Sequence, residues 1–405
     1  MLSANWKATE LGEIAKFSSG GTPSKENADF WGGVHPWITA KDLKQHYLIN
    51  SIDTLTDAGV VNAKLAPAGA SLILVRGMTL LKDFPVGYVT RPMSFNQDIK
   101  ALIPEKEVDG LFLSFFLASQ KEKMRQLVSI AGHGTGRLDT ESIKSFPVNL
   151  PSLGEQKKIA KILVAWDQAI TTTEKLLANS QQQKKALMQQ LLTGKQRLPS
   201  FRSTSWIEYK FKDIFDRITT RNVNGDTNVL TISGRYGLIS QKEAFNRVIA
   251  SDDLSNYILL KKGDFAFNKS YSIGYPFGAI KPLERYSQGI VSTLYMCFAV
   301  KKPSKHNHDF FRHFFEGGYY DHEIYAIAQE GARNHGLLNV SVTDFFNGHL
   351  RIPGLKEQIK IANVINKAEQ EQLNFEAQLK LLTAQKKALM QQLLTGKRRV
   401  KADES

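Results

Sequence analysis

The sequence predicts an α+β chain: two tandem globular halves, each a small mixed sheet with helices, separated by two long helices that pair as an antiparallel coiled coil. Three observations predict it. A thirteen-residue block occurs twice, each copy closes a long run with a 3.5-residue apolar period, and the segment before each run alternates short strand and helix patterns.

The repeat organises the chain. Residues 183–195 read QKKALMQQLLTGK and residues 385–397 read the same, an offset of 202. Pro151, Leu153, Glu155, Gln156, Lys158, Ile159 and Ala160 recur at that offset as Pro353, Leu355, Glu357, Gln358, Lys360, Ile361 and Ala362. Upstream the match is looser: Trp6, Leu11 and Ile14 answer Trp206, Phe211 and Ile214, Gly69–Ile73 resembles Gly263–Phe267, and His133-Gly134 answers His335-Gly336. The resulting boundaries are 1–150 and 199–353 for the globular halves, with helices at 151–198 and 354–405. Similar scaffolds with different polar loops suggest two copies of one reader set to different targets.

The helical runs hold no Gly or Pro from Glu155 to Leu192, and their seam alternates steps of four and three. The first seam is Ile159, Leu163, Trp166, Ile170, Thr173, Leu177, Ser180, Lys184, Leu187 and Leu191. The second is Ile361, Ile365, Ala368, Gln372, Phe375, Leu379, Leu382, Lys386, Leu389 and Leu393. Such heptads need a partner helix to cover the stripe. Thr-Gly at 193–194 and 395–396 supplies the residue a helix terminus prefers. The apolar members of both seams are candidates for helix pairing and subunit docking.

In the globular halves, Ser71–Val75, Gly87–Thr90, Ile99–Ile103, Val229–Ser233, Asp264–Asn268 and Thr293–Val300 read as strands. Phe-rich stretches at Leu111–Leu117 and Phe310–Phe315 read as core-forming helices. The candidate reading surfaces are polar, Gly-punctuated segments. They give Ser19, Gly21, Thr22, Lys25, Arg76, His133 and Arg137 in the first half. In the second they give Thr220, Arg221, Arg235, Tyr236, Lys269, Tyr271, Arg333, Asn334 and His335. Arg, Lys and Asn forks suit base edges, and Ser, Thr and Gly suit phosphates. The alternative for any one of them is an ordinary solvated turn.

A net charge of +14 favours a polyanionic partner, nucleic acid ahead of membrane surface or acidic protein. Residues 1–150 are nearly neutral, and the excess is spread over the remaining segments. The single cysteine, Cys297, forbids an intrachain disulfide and a Cys-built zinc site, and its apolar surroundings read as core. His306 and His308 have no partners at metal-ligand spacing and read as a surface loop, so no metal site is expected. With no signal-peptide pattern at the start and no long apolar span, a cytoplasmic protein is expected. Neither Gly20–Lys25 nor Gly132–Gly136 satisfies a phosphate-loop pattern. Glu155-Gln156-Lys157 and Glu208-Tyr209-Lys210 lack the preceding acid of a nuclease site, and no amino-methyltransferase motif occurs. No catalytic residue is expected.

The repeated helix openings, the heptads and the paired QKKALMQQLLTGK exits resemble the conserved regions of specificity subunits of Type I restriction–modification systems. The starts Trp6…Leu11-Gly12-Glu13-Ile14…Gly20-Gly21-Thr22-Pro23 and Trp206…Phe211-Lys212-Asp213-Ile214 resemble the openings of their target-recognition domains. The second start lacks the Gly-Gly-Thr-Pro turn, so contacts inferred for the first do not transfer. The resemblance implies a non-catalytic subunit whose two domains each read half of a bipartite, asymmetric double-stranded DNA target. It also implies that the helices set the spacer and dock two methyltransferase subunits. S-adenosylmethionine would then reside on those partners, ATP with Mg on a restriction–translocase subunit, and no cofactor on this chain. A coiled-coil scaffold for protein partners and a self-contained DNA-modifying enzyme are the alternatives.

Overall fold

Each half of the chain opens on a strand that pairs antiparallel with the strand closing the same half. Lys7–Glu10 lies against Pro147–Leu150, and Ile207–Lys210 against His349–Ile352. The computed structural model describes residues 6–130, 134–234, 236–245, 253–271, 274–328 and 338–401. The chain divides into two units, Met1–Glu174 with Ala377–Ser405, and Lys175–Glu376. Each unit therefore takes part of both long helices, Leu153–Leu191 and Leu355–Leu393.

In the first unit the main sheet runs in the order Ala15–Ser19, Ile99–Pro104, Ser71–Leu74, Val86–Val89, Tyr47–Leu48. Ser71–Leu74 is buried on both faces, which explains its unbroken apolar run. A second sheet orders Asp53–Leu55, Trp31–Ile38, Met93–Phe95 and Leu65–Ala66. A three-stranded ribbon joins Ser129–Ile130, Gly136–Arg137 and Arg76–Gly77.

The second unit repeats the heart of this plan. Phe215–Ile218, Met296–Val300, Phe265–Asn268 and Ala279–Pro282 form its four-stranded sheet, all antiparallel. The turn before the central strand repeats as well. Gly69 (φ 90°) donates to Val89 and Gly263 (φ 95°) to Leu283, each at 2.8 Å, and that positive φ requires glycine in both. The strand expected from Thr293 begins only at Met296, because Tyr295 N–H turns back to the Ser292 carbonyl at 3.0 Å.

Both Phe-rich helices form as expected, and both are capped by the residue before them. Asp109 accepts from Phe112 N–H and opens Gly110–Ser119; Asn307 accepts from Phe310 N–H and opens His308–Glu316. A long helix then holds each cap. Gln156 Oε1 accepts from Asp109 N–H and Gln358 Oε1 from Asn307 N–H, each at 2.8 Å. The glutamines also donate to Pro151 and Pro353, so one buried amide ties helix, cap and strand exit in both units.

The long helices pair antiparallel. In the first unit Asp167 pairs with Lys386 and Glu155 with Arg399; in the second Lys184 pairs with Glu369 and Arg197 with Glu357. Moving forward along one helix moves backward along its partner. Every member of both seams is buried or half-buried. Ile159 and Leu163 meet Leu393 in a cluster with Trp6, Phe112 and Phe115. Leu191 joins Ile361 and Ile365 on the Phe211–Phe315 core of the second unit. Gly194 and Gly396 end the helices at φ 70° and 72°.

Candidate nucleic-acid interface

Four of the polar positions singled out in the first half gather at one end of its sheet. Gly21 N–H donates to Phe95 at 2.9 Å, and the Trp37 and Trp31 indoles donate to Gly21 and Ser24, both at 3.0 Å. The two indoles meet edge to face at 4.9 Å, and Lys25 Nζ lies 6.0 Å from the Trp37 ring centroid. This fixes the Gly-Gly-Thr-Pro turn and presents Thr22 and Lys25 to solvent. Lys100 Nζ donates to Ser19 Oγ at 2.8 Å, and Thr22 Oγ1 donates to Gln97 Oε1.

Arg76 and Arg137 are brought face to face. Their strands pair antiparallel in the register that sets Arg137 opposite Arg76, which puts both exposed guanidinium side chains on one face of the ribbon. Among the described residues neither forms an ion pair. Asp139, whose carboxyl feels Arg137, is spent capping the helix Thr140–Lys144 through Glu141 and Ser142 N–H. Like charges set opposite each other destabilise a ribbon, and a bound anion relieves that repulsion. The Asp98 carbonyl accepts from Val75 (2.8 Å) and Arg76 (3.3 Å), which ties the arginine pair to the turn carrying Gln97.

In the second unit the candidates stay on three separate elements. Leu259 N–H bonds the Thr220 carbonyl at 2.9 Å, and the Arg221 guanidinium donates to the Asn256 carbonyl, so that arginine is held by its own chain. Tyr236 sits 60% exposed in the hairpin of Leu230–Ser233 and Gly237–Ser240. Lys269 and Tyr271 follow the strand Phe265–Asn268, with Tyr271 63% exposed. Lys269 accepts from Leu338 N–H at 2.8 Å, the counterpart of Val75 accepting from Leu138 at 2.9 Å. His133, Arg235, Arg333, Asn334 and His335 lie outside the described residues.

The apolar seam positions are spent on helix pairing and on the two cores. Ile159, Leu163, Leu191, Ile361, Ile365 and Leu393 are fully covered, and Trp166, Ile170, Leu177, Leu187, Phe375, Leu379 and Leu389 are half-buried. The large apolar side chains these helices leave on their surface are Leu176, Ile359, Leu373 and Leu381. The polar seam entries are bonded within their units: Lys184 to Glu369, Lys386 to Asp167, Thr173 to Ala169 and Ser180 to Leu177.

The histidine pair departs from expectation. His306 lies in the exposed connection before the helix but turns its side chain inward. His308 opens the helix half-buried with its ring 4.8 Å from Phe265, so apolar packing draws both away from the solvent. Among the described residues no three His, Cys, Asp or Glu side chains gather as a metal-binding group. No helix among them is long and apolar enough to cross a membrane. Cys297 is buried, and burial pushes its thiol up to about 12. Glu155, in the first ExK triplet, is bonded to Arg399 and Trp6 as a structural carboxylate.

Two polar positions in this cluster, Gln97 and Lys100, carry no sequence signal of their own. Their significance comes from the strand pairing that sets Lys100 opposite Ser19 and the turn beside Thr22.

Residues 3–179 match the family model described as Type I restriction modification DNA specificity domain. The chain is 33% identical over 165 residues to the Type I restriction enzyme EcoR124I/EcoR124II specificity subunit of Escherichia coli, an alignment covering 40% of each chain. This chain thus spans about two fifths of that relative's length. It is 23% identical to the MjaVIII specificity subunit of Methanocaldococcus jannaschii over 98% of this chain and 94% of that one. Among solved structures it resembles the S subunit of a Type I restriction–modification system from M. genitalium, at a TM-score of 0.58 and 14% identity. That match covers 97% of this chain and 98% of the other. At that identity the likeness shows a shared fold: two mixed domains and two long helices forming an antiparallel coiled coil.

Proposed function

We propose that this chain, which carries a Type I restriction modification DNA specificity domain over residues 3–179, is the sequence-reading subunit of a Type I restriction–modification complex. Each unit reads one half of a bipartite, asymmetric duplex target. The long helices set the unread spacer between the halves and dock two methyltransferase subunits. The chemistry belongs to partners: S-adenosylmethionine on the methyltransferases, ATP with Mg on a restriction–translocase subunit. This chain contributes no catalytic group.

One observation carries the reading furthest. The same order of four central strands and the same clasped helices occur twice, while the polar side chains at the corresponding sheet ends differ. A conserved frame holding unlike polar surfaces is what two readers of unlike half-sites need. The exposed Arg76–Arg137 pair supports a phosphate anchor in the first unit. The net charge of +14 supports a polyanion in general.

The test is selection from a pool of random duplexes by the chain assembled with its methyltransferase subunit. The reading predicts one enriched split motif, with affinity falling steeply as salt rises. An assembled complex that enriches nothing and shows no salt-dependent affinity sinks it in favour of a protein scaffold.

A further inference from the structure

The turn joining Met93–Phe95 to Ile99–Pro104 is held from three sides. Asn96 is buried, and its side chain closes the turn by accepting from Asp98 N–H at 3.2 Å and donating to the Asp98 carboxylate at 3.3 Å. On one flank the Gly20 backbone comes so close that a Cβ there would stand 2.1 Å from the Asn96 carbonyl oxygen. On the other, the Asp98 carbonyl binds the backbone of Val75 and Arg76. The exposed side chain at the tip of this immobilised turn is Gln97.

Gln97 is itself oriented. Its Oε1 accepts from the Thr22 hydroxyl, and its amide N–H donors have no partner among the described residues. A carbonyl oxygen has two lone pairs, so the Thr22 bond leaves one free beside two unspent donors. An amide presenting one acceptor and one donor side by side is the group that reads adenine in the major groove, accepting from N6 and donating to N7. Pre-orienting such a fork lowers the entropy lost on binding. The arginine pair, whose ribbon is bonded to this turn through the Asp98 carbonyl, supplies the positive charge that brings a phosphate backbone alongside.

We propose that Gln97 is a base-reading residue of the first unit, with adenine its preferred base and Thr22 a positioning residue that aims its amide. This rests on the reading that the first unit recognises half of a split DNA target.

The experiment is methylome sequencing of cells expressing the methyltransferase subunit with wild-type chain, Gln97→Ala, Gln97→Glu or Thr22→Val. Gln97→Ala is expected to lose roughly tenfold or more discrimination at one position of one half-site. Gln97→Glu, which keeps the size of the side chain, should shift that position toward cytosine, whose N4 amine a carboxylate accepts. Thr22→Val should keep the wild-type preference with weaker discrimination. Unchanged selectivity at every position in Gln97→Ala, or a uniform loss of methylation across sequences in a folded complex, overturns the proposal. If even the wild-type chain yields no split motif, the broader reading has failed and not only this residue.

Discussion

Glu155 and Arg399, 244 residues apart, form a two-toothed ion pair, with guanidinium Nε and Nη2 donating at 2.7 and 2.8 Å to the two carboxylate oxygens. Trp6 Nε1 adds a third bond to Glu155 at 3.1 Å, and the Arg399 guanidinium stands 5.7 Å from the Trp6 ring centroid. The second unit repeats the clasp at the 202-residue offset. Arg197 donates twice to Glu357 at 2.7 Å and stands 5.8 Å from Trp206. In both, the glutamate opening one helix is held by the arginine following the other. The clasps differ in their surroundings: the buried Trp206 Nε1 has no partner among the described residues, Val400 N–H adds a bond to Glu155, and Arg197 donates further to Phe201 and Thr204. Burial pushes the Glu155 carboxyl up, but the bonds from Arg399 and Trp6 outweigh it and hold the carboxyl below its ordinary value.

Removing one partner of a buried pair leaves an uncompensated charge, at a cost of roughly 3–5 kcal/mol. Glu357 is 2% exposed and Arg197 19%. Arg197→Ala should therefore destabilise the full chain by about 3 kcal/mol, and adding Glu357→Leu should recover part of that loss. Urea titration of the two variants measures it. A single-variant loss below about 1 kcal/mol would assign the clasp little weight.

Protonation of His313 should cost the second unit stability as pH falls below about 6.5. Asp321, whose carboxyl burial pushes up to about 6, opposes that loss over part of the window. Burial first, and the adjacent Arg312 guanidinium second, push the His313 imidazole down to about 4. The same ring, bonded to Asn366 at 2.6 Å, has an unfolded value near ~6.5. Between those values the ring binds more protons in the unfolded chain than in the folded one. The contribution is thus intact above about pH 6.5 and lost as pH falls toward 4, by roughly 3 kcal/mol at the lower limit. His313→Gln should flatten the stability profile across that window, as followed by denaturant midpoints. An unaltered slope would place the titration elsewhere.

The ruler proposal can be tested through helix register. Seventeen residues separate Asp167 from Lys184, and seventeen separate Glu369 from Lys386, so both intra-unit ion pairs keep one antiparallel register. Inserting a heptad after Ser180 together with one after Leu373 should lengthen the unread spacer and leave both half-sites unchanged. Inserting only one should lower stability by breaking that match. An altered half-site from the matched insertion would contradict the ruler. Methylome sequencing reads the spacer and calorimetry the stability.

Arg137 is expected to serve binding at the expense of stability. Arg137→Ala removes a like charge opposite Arg76, a gain of a few tenths of a kcal/mol to the free chain. The same change should weaken duplex affinity uniformly across sequences and reduce the salt slope by about one. Fluorescence anisotropy across a salt series decides it. Unchanged affinity would remove the arginine pair from the DNA-facing surface.

The repeat, the two helices and their seams were legible because helix pairing depends on periodicity within one segment. Ile159 through Leu191 needed no knowledge of the rest of the chain to be placed on one face. The two Phe-rich helices were legible for the same reason. The clasp was not, since Glu155 and Arg399 meet only through the fold. Nor was the opposition of Arg76 to Arg137, which depends on strand register, or the part played by Gln97, which depends on a neighbour 75 residues away. His306 misled because short polar surroundings in sequence conceal packing from distant aromatic residues.

Methylome sequencing of cells carrying the methyltransferase subunit, with and without this chain, measures sequence reading most directly. A split, asymmetric adenine-methylated motif is expected only when the chain is present. An assembled complex that adds no such motif would contradict sequence reading by this chain.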